Sequence, residues 1–449
     1  MVQRPVNPPT NGWSVTTPAP LWHDLHEHLF TGDGGGAVLL ARRVDGPRGP
    51  RLLVTTLIPA VTGTDYVDGT FGHHALSATF VRDAALRARA TSQAYIAVHA
   101  HPGVGSVQFS KIDLASHERG YPALRQITGQ IVGALVLAEG AAAGDLWLPD
   151  GSRTDVSGVV VPGNNLLRLH PTPARVASAD PAADRQVRLF GDAGQATFMA
   201  MRVAVVGLGG AGSLIVEYLA RLGVGHLVLI DDDRVAKDNL NRLTGAALSD
   251  VGRPKTEVAA DNARRANPNI TLDLHEATLG PNTATLLTSC DWIFLAADTA
   301  GARHYANKVI EENLIPGTQV GVKIQVHDDG TIGQIHAAAR PMVPGSGCLW
   351  CNGLVDPTEL ALDHLPREEA RQARYLNEVP APSVITLNTL AVAEAVNHFM
   401  LAVTNLHRDD VDPASLLIRP RTRQRDLLNP RRDPACPFCG DHADGEDAS

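Results

Sequence analysis

In the C-terminal half of the chain, apolar residues fall into short β-branched runs separated by longer stretches with helical spacing. Val203–Val206 is one such run and reads as a buried parallel strand. Gly207, Gly209, Gly210 and Gly212 follow it, and then an apolar helix pattern to Ala220. A second strand is expected over Gly223–Ile230, ending at Asp231, and a third over Cys290–Ala297, ending at Asp298. Thr386–Leu401 reads as a core helix. Strands alternating with helices predict an α/β fold with a mainly parallel sheet.

The N-terminal third has a different rhythm. Trp22–Phe30 and Thr79–Ala90 read as helices, and Ala37–Arg42, Arg51–Leu57 and Tyr95–Val98 as strands joined by Gly- and Pro-rich turns. Trp147–Val161 reads as strand and turn. Leu169–Asp184, rich in Pro, Ala and Ser, has no periodicity and is expected to join two domains, 1–168 and 185–442. A helix over Ala193–Ala200 leads into the glycine strand, and 443–449 is an acidic tail. The charged stretch Pro357–Arg374 is expected to be a loop over the site.

Composition narrows the classes. The chain has 449 residues, 44% hydrophobic and 19% charged, with a formal net charge of −9. That balance disfavours a nucleic-acid partner. No apolar run is long enough to span a membrane, and no N-terminal signal core is visible, so a cytoplasmic protein is expected. Four of the five cysteines form two CxxC pairs, Cys348/Cys351 and Cys436/Cys439. Four thiolates in that spacing suit a closed tetrahedral Zn²⁺ site better than disulfides. Cys290, the remaining cysteine, precedes a buried strand and reads as structural.

A glycine turn opening a helix offers free N–H groups and a positive dipole end to a phosphate, and an acid some twenty residues on can bind a ribose hydroxyl. Many nucleotide proteins share that much. Here the strand ends carry more charge: Asp231 and Asp233, then Asn239 and Arg242, Lys255, and Asp298. A pyrophosphate needs few cations beyond backbone N–H groups; a site that adds Arg, Lys and an Mg²⁺-binding Asp is built for ATP. No P-loop pattern occurs. In the N-terminal third, His99 and His101 lie two apart on one strand and share a face, where two imidazoles can hold Zn²⁺. Pro102-Gly103 turns the chain, Ser110 begins a helix, and Asp113 in its first turn supplies a third ligand. Ser110 with Asp113 is equally a helix-capping pair.

Residues 185–442 resemble the ThiF/MoeB/HesA adenylyltransferases, relatives of the ubiquitin-activating enzyme. The resemblance rests on GxGGxG at 207–212, IDxD at 230–233, NLNR at 239–242, DxGxxK at 250–255, AADxxxxR at 296–303, and the paired CxxC motifs. It implies a Rossmann-like domain with a zinc knuckle that adenylates the C-terminal glycine of a ubiquitin-like or sulfur-carrier protein. By the same resemblance, Gly207, Gly209, Gly210, Gly212 and Asp231 hold adenosine and phosphates, with Asn239 beside them. Arg242 and Lys255 bind the β- and γ-phosphates, and Asp298 positions Mg²⁺ with Asp233. Arg185 reaches the partner's ATP in a homodimer. No cysteine lies between Asn352 and Ala435, which implies adenylation without the family's thioester.

Residues 1–168 resemble the JAMM (JAB/MPN) metalloproteases, an α+β family, through His99, His101, Pro102, Ser110 and Asp113. This implies a catalytic Zn²⁺ on the two His and Asp113, with Ser110 at the oxyanion. Such a domain trims, removes or docks a ubiquitin-like protein. The sequence departs from the family in a slightly longer gap from His101 to Asp113. It departs also at the general-base glutamate, whose place falls on Gly34-Gly35-Gly36, with Glu27 and Asp33 the nearest acids. Other readings are adenylation of a small molecule or tRNA base beside a non-catalytic binding module, and a nicotinamide oxidoreductase, which nothing beyond the glycines and Asp231 requires.

Overall fold

A computed structural model describes residues 5–31, 35–68, 74–327, 329–363, 365, 369, 382–408 and 412–440. Asp33, the acidic tail expected at 443–449 and most of the charged stretch after residue 363 lie outside these. The chain divides into two compact units, Met1–Pro162 with Leu166–Val176, and Gly163–Asn165 with Ala177–Ser449.

The first unit contains β1 (Trp13–Thr16), α1 (Ala19–Phe30), β2 (Ala37–Val44), β3 (Arg51–Pro59), β4 (Tyr66–Asp68), β5 (His74–Leu76), α2 (Ala78–Ala90), β6 (Ala94–Val104), α3 (Lys111–Thr128), β7 (Val132–Glu139), β8 (Ala141–Trp147), β9 (Arg153–Pro162) and β10 (Leu166–Leu169). Its main sheet runs β1-β3-β2-β6-β7-β8-β9-β10, and β1 also pairs with β9, so the sheet curls back on itself. Both faces are covered. Ala37, Leu39 and Ala41 of β2 pack with Leu25 and Leu29 of α1, while Val38 and Leu40 pack with Phe80 and Ala84 of α2 and Tyr121 of α3. This explains why β2 is apolar without alternation from Ala37 to Ala41, before Arg42 and Arg43. Helix α1 starts at Ala19, before the expected Trp22, because Pro18 serves as its N-cap and a second proline sits in its first turn.

The second unit contains α4 (Asp184–Ala200), β11 (Arg202–Val206), α5 (Gly210–Leu222), β12 (His226–Ile230), α6 (Lys255–Ala266), β13 (Thr271–His275), β14 (Trp292–Leu295), α7 (Ala300–Asn313), β15 (Gly317–Val326), β16 (Ile332–Met342), α8 (Pro357–Asp363), α9 (Ile385–Val403), β17 (Ser415–Arg419) and β18 (Gln424–Leu428). Its sheet runs β13-β12-β11-β14-β15-β16-β17-β18. Pairing is parallel from β13 to β15 and antiparallel from β15 to β18. Phe294 and Trp292 meet Phe399 of α9 on one face, while Ile293 and Leu295 pack against Ala302, Ala306 and Ile310 of α7 on the other. The expected α/β fold with a mainly parallel sheet is thus present in the second unit.

In the second unit, Pro357–Asp363 of the stretch expected as a loop forms α8, and two further boundaries differ from the sequence reading. Gly223 is not strand: with φ +84° it closes α5 in the left-handed conformation, and Val224 N–H donates back to Leu219 O. Helix α4 begins at Asp184 rather than near Ala193 and is broken at Gly191 (φ 73°, ψ 172°). A glycine interrupting a weakly apolar stretch hid the first half of that helix. No helix among the described residues is long and apolar enough to cross a membrane.

Candidate functional site

The nucleotide-side site is built at the C-terminal ends of β11, β12 and β14, where open parallel sheets bind ligands. Gly207 turns the chain at φ +84°, and a Cβ there would sit 2.7 Å from Ala297 N. A Cβ on Gly212 would land on the Gly207 carbonyl oxygen, and one on Gly210 would meet Asn388 and the Arg242 side chain. Gly207, Gly210 and Gly212 therefore admit no side chain, whereas Gly209 stands in open space, and α5 starts directly from this turn with its first N–H groups free of intrahelical partners.

Asp231, buried at the end of β12, braces this turn. Its carboxylate accepts from Leu208 N–H, and from Asp233 N–H at 2.9 Å. Burial pushes the Asp231 carboxyl up, and the Lys255 charge and these two hydrogen bonds pull against that shift. Lys255, itself buried at the start of α6, places Nζ 2.7 Å from Asp233 Oδ2 and 3.8 Å from Asp231 Oδ1. Arg242 donates from Nη1 to Asp238 O at 2.6 Å and lays its methylenes beside Gly210. Asn239 accepts from Ala236 N–H at 3.3 Å in a short 3₁₀ turn. Asp298 is exposed just past β14, where Thr299 caps α7 by accepting from Ala302 N–H. The structure thus gathers Asp231, Asp233 and Lys255 into one cluster, with Arg242 against the glycine turn. Arg185 stands exposed in the first turn of α4, and among the described residues no hydrogen bond or ion pair joins it to that cluster.

The four cysteine sulfurs lie within 4.8 Å of one another. Cys348 and Cys436 Sγ are 3.7 Å apart, and Cys351 and Cys439 Sγ 3.6 Å. A tetrahedral Zn–S₄ centre with Zn–S near 2.3 Å has S···S of about 3.8 Å, so the donor set fits structural zinc. The clasp fastens the end of the described chain to the segment after β16. Around it Trp350 stacks on Phe438 with ring centroids 6.0 Å apart, and Leu349 N–H donates to Asn307 on α7 at 2.7 Å.

A second cluster lies in the first unit. His99 and His101 Nε2 are 3.2 Å apart, and they approach Asp113 at 3.6 Å (Oδ1) and 3.3 Å (Oδ2). Ligands at zinc's usual 2.0–2.2 Å on tetrahedral corners stand about 3.3 Å apart, so these three atoms also fit the ion. His101 Nδ1 lies 3.2 Å from Gln108 O, the outer hydrogen bond that would orient its ring for metal binding. Burial acts to raise the Asp113 carboxyl, but hydrogen bonds from His99 and Ser110 more than offset it and hold the group well below the usual carboxylate range. The capping box is present as well. Ser110 Oγ accepts from Asp113 N–H at 3.2 Å, and Ser110 N–H donates to Asp113 Oδ2 at 2.7 Å. Capping and metal binding are therefore not alternatives: the box aims the carboxylate at the imidazoles.

One turn further along α3, buried His117 meets Asp145 Oδ2 at 2.9 Å, and Arg153 Nε donates to Asp145 Oδ1 at 2.6 Å. Tyr121 stacks on His117, with centroids 4.5 Å apart. Sequence reasoning missed this network, because its members are brought together only by α3 crossing β8 and β9. Asp145→Ala leaves the buried His117 ring without its partner and Arg153 with only Glu118, at 3.5 Å, as an ion-pair partner among the described residues, and is expected to cost about 3 kcal/mol. Urea unfolding followed by circular dichroism checks this, and the same variant should bind zinc more weakly through looser placement of Asp113.

Of the stretch Gly34–Gly36, where the base is expected, Gly34 lies outside the described residues and the strand register singles out Gly36. Ala37 pairs with Val98, so Gly36 stands one step on, beside His99. A Cβ there would make only ordinary contacts, 3.5 Å to Leu76 Cδ2 and Val98 O. Around it are groups the sequence did not flag: Gly36 N–H donates to Tyr66 Oη at 2.6 Å, and His28 Nε2 lies 3.0 Å from Gly36 O.

The second unit thus joins a glycine-turn nucleotide fold to a four-cysteine clasp. The family model "ThiF family" matches residues 183–437, and the chain belongs to that family. Among curated relatives, the SAMP-activating enzyme E1 of Haloferax volcanii is 35% identical over 162 residues, 36% of this chain and 56% of that protein. The molybdopterin-synthase adenylyltransferase of Salmonella typhimurium is 37% identical over 149 residues, 32% of this chain and 60% of that protein. The matches thus span little more than half the length of these relatives. Among solved structures, E. coli MccB with MccA-N7isoASN is similar at 21% identity and a TM-score of 0.46, over 58% of this chain and 76% of that one. The family match begins at residue 183, after the first unit's strands.

Proposed function

We propose that the second unit adenylates the C-terminal carboxylate of a ubiquitin-like or sulfur-carrier protein with ATP. The observation that carries this is the cluster at the glycine turn, where Asp231, Asp233 and Lys255 interlock and Arg242 lies against Gly210. Family membership and the names of the relatives support it. In the reaction a carboxylate oxygen forms a bond to the α-phosphorus, the bond from that phosphorus to the bridging oxygen breaks, and pyrophosphate leaves. The products are an acyl-adenylate and pyrophosphate. Two anions must be held together, so positioning and fixed positive charge supply most of the rate. The N–H groups of the glycine turn and α5 would hold phosphate oxygens. Arg242 and Lys255 would take the leaving pyrophosphate's charge, Lys255 exchanging its Asp233 contact for it. Mg²⁺ on Asp298 and Asp233 would neutralise phosphate charge. The reading extends to a homodimer, in which exposed Arg185 would reach the partner's ATP, and to a cytoplasmic setting.

The first unit is read as a JAMM-like zinc domain that docks the same carrier's tail and cuts it slowly at best. The bound ion would lower the pKa of a coordinated water to about 7. Gly36, however, supplies no carboxylate to take that water's proton, and Ser110 remains the oxyanion donor. With a fluorogenic C-terminal amide of the carrier, hydrolysis is expected to be near background, and Gly36→Glu is expected to raise it about 10²–10⁴-fold. Rapid zinc-dependent cleavage by the unaltered protein, lost in His101→Ala, would replace docking by proteolysis. For adenylation, the test is ATP–pyrophosphate exchange driven by the carrier.

A further inference from the structure

Strands β15 and β16 carry the sheet past its parallel part. Gln319 is in register with Leu295 on one side and with Arg340 on the other, so both side chains lie on the face covered by α7. Arg340 Nη1 donates to Gln319 Oε1 at 2.6 Å. Arg303 stands in the first turn of α7, the helix that covers this face. Its Nη1 donates to Leu354 O at 3.1 Å, while its Nε is buried with no partner among the described residues. Burial lowers the pKa of both guanidinium groups, the Arg303 charge adds to that at Arg340, and the Asp298 charge opposes it at Arg303. Two partly desolvated like charges on one face of the sheet are costly, and a bound anion would offset that cost.

We infer that Arg303 and Arg340 form the subsite that receives the terminal carboxylate of the polypeptide substrate. This rests on the adenylation reading and names the residues that read its acyl partner. The sheet order separates this pair from the phosphate cations. Asp231, Asp233 and Lys255 follow β12, on one flank of β11, whereas Arg303 and Arg340 belong to β14–β16 on the other. Nucleotide and carboxylate would thus approach the glycine turn from opposite flanks, as an attack on the α-phosphorus requires. The hairpin face leading away from Arg340 suits an extended tail. Gly321 and Ala338 form its smallest pair, followed by Lys323 and His336. His336 adds a buried Nδ1 with no partner among the described residues.

The probe is an N-acetylated hexapeptide ending in Gly-Gly, prepared as the free carboxylate and as the C-terminal amide. Each is titrated calorimetrically into the full chain, with and without a non-hydrolysable ATP analogue. The carboxylate is expected to bind about 10–100-fold more tightly than the amide. Arg340→Gln should erase that preference and leave affinity for the ATP analogue unchanged, and Arg340→Lys should restore part of it. Arg340 is preferred to Arg303 for the test because Arg303 also holds Leu354. Equal binding of carboxylate and amide by the unaltered protein overturns the inference. So does an Arg340→Gln variant that loses the analogue and keeps the carboxylate preference, which would assign the pair to nucleotide phosphates. Failure of the analogue to bind the unaltered protein, with the carboxylate preference intact, strikes instead at the adenylation reading.

Discussion

Arg242→Ala is expected to slow carrier-dependent ATP–pyrophosphate exchange about 10²–10³-fold, the usual loss when one charged donor to a developing anion is removed. The side chain is half-buried against Gly210 and donates to the Asp238 carbonyl. It ties together no buried network, so stability should change by no more than about 1 kcal/mol. A variant that folds normally and exchanges slowly places the guanidinium on the phosphates. Undiminished exchange would remove Arg242 from the site and weaken the triphosphate reading with it. Asp298→Ala should act in the same direction, with the loss partly recovered at high Mg²⁺, since Asp298 is exposed beyond β14 and among the described residues forms no ion pair with Arg242 or Lys255.

The second large effect belongs to the zinc clasp. Cys436→Ala should cost about 5 kcal/mol or more, because structural zinc contributes folding energy outright. Cys436 and Cys348 are far apart in sequence, and their segments meet through the clasp, the Trp350–Phe438 stack and two hydrogen bonds between Asn352 and the Arg431 backbone. Loss of the ion would free the segment after β18 and loosen the strand of chain whose Leu354 carbonyl holds Arg303. Metal analysis separates the two centres. The unaltered chain should carry two zinc ions, and Cys436→Ala and His101→Ala one each. A full zinc complement in Cys436→Ala would show that the clasp is not a metal site.

The parts of the site that sequence made legible are those carried by local spacing. The glycine turn and α5 follow from Gly207 to Gly212, since only glycine tolerates the contact with Ala297 and Gly207. Two histidines two apart on β6, and Asp113 at the start of a capped helix, likewise announce a shared face. What stayed hidden depends on pairing between distant strands. Arg340 becomes interesting only when the β15–β16 register sets it opposite Gln319 and on the α7 face. Asn388, from α9, reaches the Gly210 position through packing that no motif encodes. Tyr66 and His28 converge on Gly36 from different elements, so a missing carboxylate could be read from sequence while its surroundings could not. The boundaries at Gly223 and Gly191 shifted for a related reason: positive φ is a backbone property that a glycine permits but does not dictate.

The most direct test of the central claim uses a small carrier protein from the same genome that ends in Gly-Gly. Radiolabelled pyrophosphate exchange into ATP is measured with the intact carrier and with the same carrier extended by one residue past its terminal glycine. The account predicts exchange that requires the free terminal glycine and collapses with the extended form. Exchange indifferent to the carrier's C-terminus, or its absence while NAD rather than ATP protects the chain against heat, would contradict it.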